Sequence, residues 1–294
     1  QEALRECLRA CARQGLTSGR VPEAGGGSGM RMVDLGLCYE QLPGALVFGF
    51  LSQEVTVARV FSESSAEIKE RYLRSMIDVD VITCTATTEP GAGSDPRSVK
   101  TRAIKTDEGW RVNGAKLWIS NASVAEVANV TVSVGNDERG LARMMRLLID
   151  KRLSPFEARE IPTLGLRQGH LGEMHFDDCL VPLENVMGQA GDAARILTLT
   201  WLGNRPLVGM AAVGMAQRAF DLALEYAGNR EQFGKAIAGH QLIQGRLVDI
   251  EEAIITARLL CLHALAALDA GERANHISAM AKRYACAAAE RAVS

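Results

Sequence analysis

The stretch that decides the fold is Thr88-Glu89-Pro90-Gly91-Ala92-Gly93-Ser94-Asp95, which follows the β-branched run Val81-Ile82-Thr83-Cys84-Thr85. Such a run predicts a strand, and here it leads into a loop of glycine, proline, serine and aspartate. Glycines remove side-chain bulk, and the N–H and hydroxyl groups of a loop can donate hydrogen bonds to an anion or a heteroaromatic ring. Composition alone leaves two interpretations open, a ligand-binding loop and an ordinary surface turn.

The bulk composition is typical of a globular chain of about two domains. The chain has 294 residues, of which 47% are hydrophobic and 23% are charged, and its net charge is −2. This balance gives no sign of a nucleic-acid surface. The five histidines do not cluster with cysteine or carboxylate residues at ligand spacing, so no metal is predicted. Seven cysteines without a C-x-x-C pair favour reduced, intracellular thiols.

The N-terminal segment, residues 1–78, predicts a helical domain. Its clearest helices are expected at residues 1–14 and 66–76, and the glycine-rich residues 22–29 between them predict a flexible loop. The opening residues are helix-like and do not resemble a signal peptide. No apolar stretch is expected to be long enough to span a bilayer.

The middle segment, residues 79–191, predicts an antiparallel β-domain, either a barrel or a sandwich, because short β-rich runs alternate with turn signals and no long helix separates them. The expected strands are 81–87, 110–112, 116–119, 127–134, 147–149 and 173–176, with turns at 107–109, 113–114 and 135–137. Residues 192–294 then predict a helical bundle of three long helices, because apolar residues recur three and four positions apart. The expected fold class is therefore α+β, ordered helical, β, helical.

Four motifs in chain order together resemble those of the acyl-CoA dehydrogenase family. The first is Thr85–Asp95, and the second is Asn113–Ala122, which is similar to the family's N-G-x-K-x-W-I-T-N. The third motif comprises Leu164–Arg167, Phe176–Pro182 and Asn185–Gly188. The fourth motif begins at Arg205, continues through residues 216–219 and 226–227, and ends with Arg230–Gly234 and His240-Gln241. The resemblance covers most of the chain and implies an FAD-dependent oxidoreductase.

The first two motifs match the family segments that hold the flavin. The resemblance implies that Thr85–Ser94 lies along the isoalloxazine ring, with Thr88 bonded to its polar edge. It also implies that Ser94 contacts the pyrophosphate or the thioester carrier and that Trp118 covers the ring. Ser120 stands where the family has threonine, and it keeps the hydroxyl that faces the flavin's reactive nitrogen. Without these motifs, the plain alternatives are a buried core tryptophan and a turn serine.

The fourth motif matches residues that reach the FAD of a partner subunit. The resemblance assigns this role to Arg230, Phe233, His240 and Gln241, and it implies a homodimer or homotetramer. Arginine suits a pyrophosphate because its planar fork makes paired, charge-assisted hydrogen bonds. The alternative interpretation is a helix-end turn at Gly234, and both interpretations can hold at once. Arg205, with Ser94, is expected to bind substrate.

No catalytic base can be assigned in this chain. The family's reaction, α,β-dehydrogenation of an acyl thioester, needs a carboxylate to take the α-proton. One family position for it holds Asn204, which cannot accept a proton, and the neighbouring substrate-contacting position holds Leu202. The other family position lies beyond residue 294, and the family's extreme N-terminal segment is also unmatched. We therefore expect either that the natural protein is longer, which the intact flavin motifs favour, or that the chain is a degenerate relative. The carboxylates Glu89, Asp95 and Asp178 match structural positions.

Three functions are compatible with these residues. The first is dehydrogenation of an acyl thioester carried by coenzyme A or an acyl carrier protein, with electron-transfer flavoprotein as the acceptor. The second is other flavin chemistry on the same fold, such as that of a desulfinase or oxidase. The third is a non-catalytic subunit of a hetero-oligomer. The expected compartment is the bacterial cytoplasm, or the mitochondrial matrix in a eukaryote.

Overall fold

The computed structural model describes residues 2–294 and divides into two compact units. The first, here called the β unit, comprises the chain up to Met30 and Phe48–Thr198. The second, here called the helical unit, comprises Arg31–Val47 and Leu199–Ser294. The predicted domain boundaries at 78/79 and 191/192 follow sequence pattern rather than contacts, and they stay a prediction.

The N-terminal and C-terminal segments are helical as predicted. The helices are α1 (Glu2–Arg13), α2 (Met32–Gln41), α3 (Gly44–Glu63), α4 (Ala66–Ile68), α5 (Arg74–Ile77), α6 (Ala193–Asn229), α7 (Gln241–Asp269) and α8 (Asn275–Val293). The helices α2 and α3 were not predicted individually. A π-helical turn, Lys69–Leu73, joins α4 to α5, so the helix expected at 66–76 forms with an irregular middle. The three long C-terminal helices are confirmed as α6, α7 and α8.

The β unit is built on an eight-stranded sheet in the order β6-β7-β3-β2-β4-β5-β8, with β1 also paired to β4. Its strands are β1 (Thr83–Ala86), β2 (Arg102–Lys105), β3 (Trp110–Ile119), β4 (Val127–Asn136), β5 (Ala142–Asp150), β6 (Glu157–Glu160), β7 (Gly172–Val181) and β8 (Val186–Met187). The predicted α+β class is confirmed. The sheet is mixed, however, because β1 and β2 each pair with β4 in parallel.

The turn expected at Asn113-Gly114 is wrong, and β3 runs through it as one strand. The register against β7 shifts between Val112 and Gly114, so an irregularity in the strand replaces the turn. A Cβ on Gly114 would lie 2.6 Å from the backbone of Thr101, which explains the glycine by close packing. The turn at 107–109 is confirmed, since the Thr106 amide donates to Gly109 O at 2.8 Å between β2 and β3.

The residues expected to form a flexible loop at 22–29 pack closely instead. Glu23–Gly25 forms a 3-10 turn, and the Gly29 amide donates to Val21 O at 2.8 Å. A Cβ added to Gly25 would lie 2.3 Å from the Phe61 ring. The glycines therefore serve close contact here, which composition alone does not distinguish from a linker.

Two large apolar clusters lie in the described part of the β unit, besides a small one at Met144. One contains Val130, Leu147 and Ile149 of the central strands. The other joins Leu148 of β5 to Val60 of α3. Because neighbouring residues of a strand point to opposite faces, both faces of β5 are buried.

Glycines allow the helices of the helical unit to approach each other closely. A Cβ on Gly214 of α6 would lie 1.8 Å from Glu40 O of α2. A Cβ on Gly209 would lie 2.6 Å from Cys261 Sγ of α7. Since neither gap can accept a methyl group, α6 packs on α2 and α7 through its bare backbone.

The sequence-based expectation about bilayer-spanning length is wrong. Within residues 2–294, α3 and α6 are long and apolar enough to cross a membrane, by length and composition only. In α3, 61% of the most apolar 18-residue window is buried inside the protein, and in α6 the corresponding share is 50%. This burial is the pattern of core helices.

Candidate functional site

The loop that follows β1 is held as a tight turn with an open outer surface. The Glu89 amide donates to Ala92 O at 2.9 Å, and the Ala92 amide donates to Glu89 O at 3.2 Å. A Cβ on Gly91 would meet no atom within 4 Å, and one on Gly93 would only reach Thr88 Cγ2 at 4.0 Å. Neither internal packing nor a positive φ requires these glycines, so the loop leaves room for a group outside the chain to approach the backbone.

The buried side chain of Glu89 holds this loop against the neighbouring strands by hydrogen bonds. Its carboxylate accepts hydrogen bonds from the Lys100 amide (2.7 Å), the Thr101 amide (3.0 Å), the Thr101 hydroxyl (2.5 Å) and Lys116 Nζ (2.8 Å). Lys116 is fully buried and also donates to Thr87 O at 3.1 Å. The carboxylate is thus fully used in structure.

Both members of this pair have shifted pKa values. Burial raises the pKa of Glu89, but the charge of Lys116 and the hydrogen bonds outweigh it, and the net pKa is lowered. Burial lowers the pKa of Lys116 to about 8, against the opposing effect of Glu89. The loop therefore rests on a buried ion pair whose lysine gives up its proton more readily than a free one.

Trp118 lies beside this loop with its indole in solvent. Its neighbour Leu117 donates its amide to Thr88 O at 2.9 Å, which ties β3 to the loop. The register of β3 shifts between Lys116 and Ile119, and Trp118 adopts φ 60° with 55% of its surface exposed. The alternative of a buried core tryptophan is wrong. A bulky residue with positive φ and an exposed ring is unusual, and such strain is concentrated at functional sites.

Asn121 holds the residues after β3 in place, and sequence reasoning gave it no role. Its backbone has φ 64°, and its buried Nδ2 donates to Gly49 O at 2.9 Å and Thr83 O at 3.1 Å. This arrangement sets the direction of the half-buried Ser120, whose carbonyl accepts from Ser52 Oγ at 3.3 Å. In the sequence, its only mark is an asparagine two residues after a strand, a residue type that tolerates left-handed backbone.

The remaining residues of the first motif differ in exposure. Ser94 is exposed and Thr88 is half-buried. Thr85 is half-buried and its hydroxyl lies 3.0 Å from the Thr56 hydroxyl of α3. Ser94 and Trp118 therefore combine exposure with a place on or beside the open loop, where Thr88 is only partly accessible.

The hairpin after α6 gathers the residues of the fourth motif. Strands β9 (Glu231–Gln232) and β10 (Lys235–Ala236) are joined by Phe233 and Gly234, both with positive φ. Phe233 is 95% exposed, and its ring contacts that of His240 edge-on at 6.0 Å between centroids. Arg230 is also exposed. A bulky apolar side chain held in a strained backbone and in solvent presents itself for binding.

Arg205 and Asn204 lie on α6, and both are half-buried. The Arg205 guanidinium carbon lies 5.9 Å from the centroid of the Trp201 ring. Gln241, the last residue of the fourth motif, is the first residue of α7 and is exposed.

Comparison with known families accounts for almost the whole chain. Residues 1–80 match the family model for the acyl-CoA dehydrogenase N-terminal domain. Residues 84–179 match the middle domain, and residues 194–294 match the C-terminal domain. The chain belongs to the acyl-CoA dehydrogenase family. The family, enzyme class and FAD cofactor expected from the four motifs are confirmed at this level, because members of the family are FAD-dependent oxidoreductases that act on CH–CH bonds.

Individual relatives agree with this assignment. The cyclohex-1-ene-1-carbonyl-CoA dehydrogenase of Geobacter metallireducens is 33% identical over 267 residues, which cover 89% of this chain and 70% of the relative. A solved FAD complex of PigA is similar in structure with a TM-score of 0.92 and 28% identity, over 98% of this chain and 77% of that one. A solved structure of a glutaryl-coenzyme A dehydrogenase bound to glutaryl-CoA is also similar, with a TM-score of 0.90 and 29% identity. The similarity covers 97% of this chain and 74% of that one.

Proposed function

We propose that this chain binds FAD against the loop at residues 88–94 and catalyses α,β-dehydrogenation of an acyl thioester. The observation that carries the proposal is Trp118, whose exposed indole stands in strained backbone beside that loop. A planar aromatic ring held in solvent suits stacking on another planar ring. The confirmed family supplies the chemistry: FAD would accept the hydride from the β-carbon, and the α-proton would pass to a carboxylate at the family position that follows residue 294, since Asn204 and Leu202 supply none.

The side chains of the β unit fit an isoalloxazine ring. The open surface at Gly91 and Gly93 lets a flat group reach the loop's amides. Thr88 and Ser94 offer hydroxyls to its polar edge and phosphates, and Ser120 offers one to the reactive nitrogen. Because buried hydrogen bonds hold Glu89 and Asn121 in place, the backbone that carries these hydroxyl groups is positioned before the cofactor binds. This reduces the conformational entropy lost on binding.

The hairpin after α6 supports a second, intermolecular part of the site. Arg230 is proposed to pair with a pyrophosphate, and Phe233 with His240 and Gln241 to line the adenosine side, in the FAD of a partner subunit. Exposed apolar side chains on α6 and α7 support self-association, among them Leu222, Tyr226, Leu242 and Leu259. We propose a homodimer or homotetramer, which light scattering during size-exclusion chromatography would test.

Asn204 leaves a second candidate function open, because neither of the family's base positions is filled by a carboxylate within this chain. At neutral pH an amide cannot take the α-proton, so this position can only orient a substrate by hydrogen bonding. Oxidation of a substrate that needs no carboxylate at this position, or desulfination, would be consistent with it. The structural relative PigA has also been solved with FAD and proline, so a carrier-bound amino acid is a reasonable substrate to include.

The remaining assignments are also proposals. The thioester carrier is coenzyme A or an acyl carrier protein, and Arg205 and Ser94 are proposed to bind the substrate. Electron-transfer flavoprotein is the proposed acceptor, in the bacterial cytoplasm or the mitochondrial matrix. The segments 1–78, 79–191 and 192–294 are proposed as domains, a division supported by the limits of the three family matches.

The test is a visible absorption spectrum of the purified protein, repeated without oxygen after adding acyl-CoA and carrier-bound thioesters. A flavin band that bleaches with one thioester, with an enoyl product by mass spectrometry, is the expected result. A flavin band that bleaches only with a substrate lacking an α,β-CH–CH unit would favour the second candidate. Failure to bind added FAD would overturn both and favour a non-catalytic subunit.

A further inference from the structure

Arg146 in the middle of β5 is a buried cation without a partner. Its side chain has no solvent exposure, and among residues 2–294 none of its three guanidinium nitrogens has a hydrogen-bond acceptor. A guanidinium has five N–H donors and stays protonated in proteins. Burial, assisted by the charge of Arg59 and opposed by that of Glu63, lowers the pKa of Arg146 to about 10. The group is therefore cationic at neutral pH.

The register of β5 places this side chain between the sheet and its covering helices. Arg146 is two residues from Leu148 and two from Met144, so the three side chains point to one face. Leu148 packs in the cluster that contains Val60 of α3. Met144 packs with Ala193 at the start of α6. The guanidinium consequently lies between two apolar clusters, where its hydration is poor.

The end of α3 brings two more unpartnered polar groups to this place. Ser64 forms a bridge with Met187, which is the residue of β8 paired with Arg146. In the described part of the chain, the buried Ser64 hydroxyl and the buried Nε of Arg59 have no hydrogen-bond partner. The ion pair of Arg59 with Glu63 is long, 3.4 Å from Nη1 to Oε1. Arg146, Arg59 and Ser64 thus bring unpartnered donors to this region. The Glu63 carboxylate accepts from Arg59 Nη1 but makes no hydrogen bond to Arg146 within the described residues.

The charges do not balance among these residues. Arg59 and Arg146 contribute two positive charges, and Glu63 contributes one negative charge. Two neighbouring pairs balance themselves: Glu54 is engaged by Arg20, with 2.5 Å between Oε2 and Nη2. Arg195, whose charge also acts on Arg59, faces Asp192 with 3.9 Å between Nε and Oδ1. An uncompensated buried charge costs several kcal/mol even after relaxation. One additional negative charge would neutralise the cluster, whereas a doubly charged anion would overshoot.

We propose that Arg146, Arg59 and Ser64 form a buried site for a monovalent inorganic anion, with chloride as the probe. Guanidinium N–H groups and a serine hydroxyl are all donors, so the site selects an acceptor with no proton to donate. The apolar clusters on both sides restrict it to a small anion. None of the residues proposed to contact FAD belongs to this site, and the inference does not depend on the proposed function.

The first experiment compares thermal unfolding of the FAD-saturated protein in potassium chloride and in potassium methanesulfonate at equal ionic strength. Above its Kd, each tenfold rise in chloride should stabilise the protein by about 1.4 kcal/mol. This corresponds to a rise in Tm of about 2–4 °C for a chain of this size. Equal Tm values in the two salts at every concentration would overturn the proposal.

Variants locate the effect. Arg146→Met replaces the cation by an apolar side chain and should abolish the chloride dependence, whereas the control Arg159→Met, at a 72% exposed side chain, should retain it. If Arg146→Met does not fold, Ser64→Ala serves instead. Loss of one hydrogen bond of about 1 kcal/mol should raise the chloride concentration required about fivefold. Chloride dependence that persists unchanged in either site variant would refute the assignment.

Diffraction from crystals grown in bromide gives a direct readout. An anomalous peak within hydrogen-bond distance of the Arg146 nitrogens is the expected result. An ordered water there, or a Glu63 carboxylate turned to pair with Arg146, would overturn the anion site.

Discussion

Removing Glu89 should cost far more stability than removing its ion-pair partner Lys116. Glu89→Ala leaves a fully buried ammonium with Thr87 O, at 3.1 Å, as its remaining acceptor. It also removes the acceptor of the amides of Lys100 and Thr101. Breaking a buried pair from this side costs about 3–5 kcal/mol, because an uncompensated charge stays inside.

Lys116→Met leaves the Glu89 carboxylate with most of its hydrogen bonds. The Glu89 charge also stays buried, but it keeps three donors, the amides of Lys100 and Thr101 and the Thr101 hydroxyl. Without Glu89, by contrast, Lys116 would keep one acceptor. The lost charged hydrogen bond costs about 1.5–3 kcal/mol. Burying methionine in place of the ammonium returns a similar amount, about 1.5–3 kcal/mol. The net change should be within about 1 kcal/mol of zero, so the two single variants should differ by at least about 2 kcal/mol.

Urea denaturation of the FAD-free protein, followed by circular dichroism, measures both variants. Glu157→Ala is the control, because that glutamate is 75% exposed and its ion pair with Arg159 spans 3.7 Å. It should change the free energy of unfolding by less than about 0.5 kcal/mol. Equal losses in Glu89→Ala and Lys116→Met would refute the reasoning that the carboxylate, through its four donors, is the centre of this loop.

Three further predictions concern protonation, strain and the intermolecular site. Because burial lowers the pKa of Lys116 to about 8 from 10.5, the unfolded chain binds more protons between these pH values. The unfolding free energy should therefore rise with pH there relative to that of Lys116→Met, by up to about 1.4 kcal/mol per unit, and a difference between the two proteins that does not change with pH would contradict this. Trp118→Gly should relieve about 1 kcal/mol of backbone strain and raise the Tm of the FAD-free protein. Titration of this variant with FAD should show weaker binding than in the unchanged protein, and an unchanged affinity would contradict the stacking role of Trp118. Arg230→Ala should lower flavin content and oligomer stability together, by absorbance and sedimentation, whereas the exposed Arg273→Ala should change neither.

Much of the architecture was predictable because apolar periodicity records which faces are buried. The three C-terminal helices and the central strands follow from spacing alone. The turn expected at Asn113-Gly114 failed because glycine signals both turns and close contacts, and here Thr101 needs the space. The strands β2 and β6 were missed because they are short and mostly exposed, so neither shows a strong apolar pattern.

The candidate site was predicted through motifs rather than from physical pattern. Composition could not show that Trp118 is exposed, since this depends on a shift of register against β7. Asn121 was part of a motif, yet its role lies in contacts with Gly49 and Thr83, which are distant in sequence. Arg146 gave no signal at all, because a strand arginine is usually read as facing solvent.

The close packing of α6 has a consequence for how the helical unit folds. This helix contains Pro206 and the glycines Gly209 and Gly214. Relative to alanine, a proline inside a helix costs about 3 kcal/mol and each glycine about 1 kcal/mol. A nascent α6 should therefore be mostly unstructured on its own, since its helical form depends on α2 and α7 lying against its bare backbone. We expect this segment to become helical only as it docks, so that α6 and its packing with α2 and α7 form in the same kinetic step.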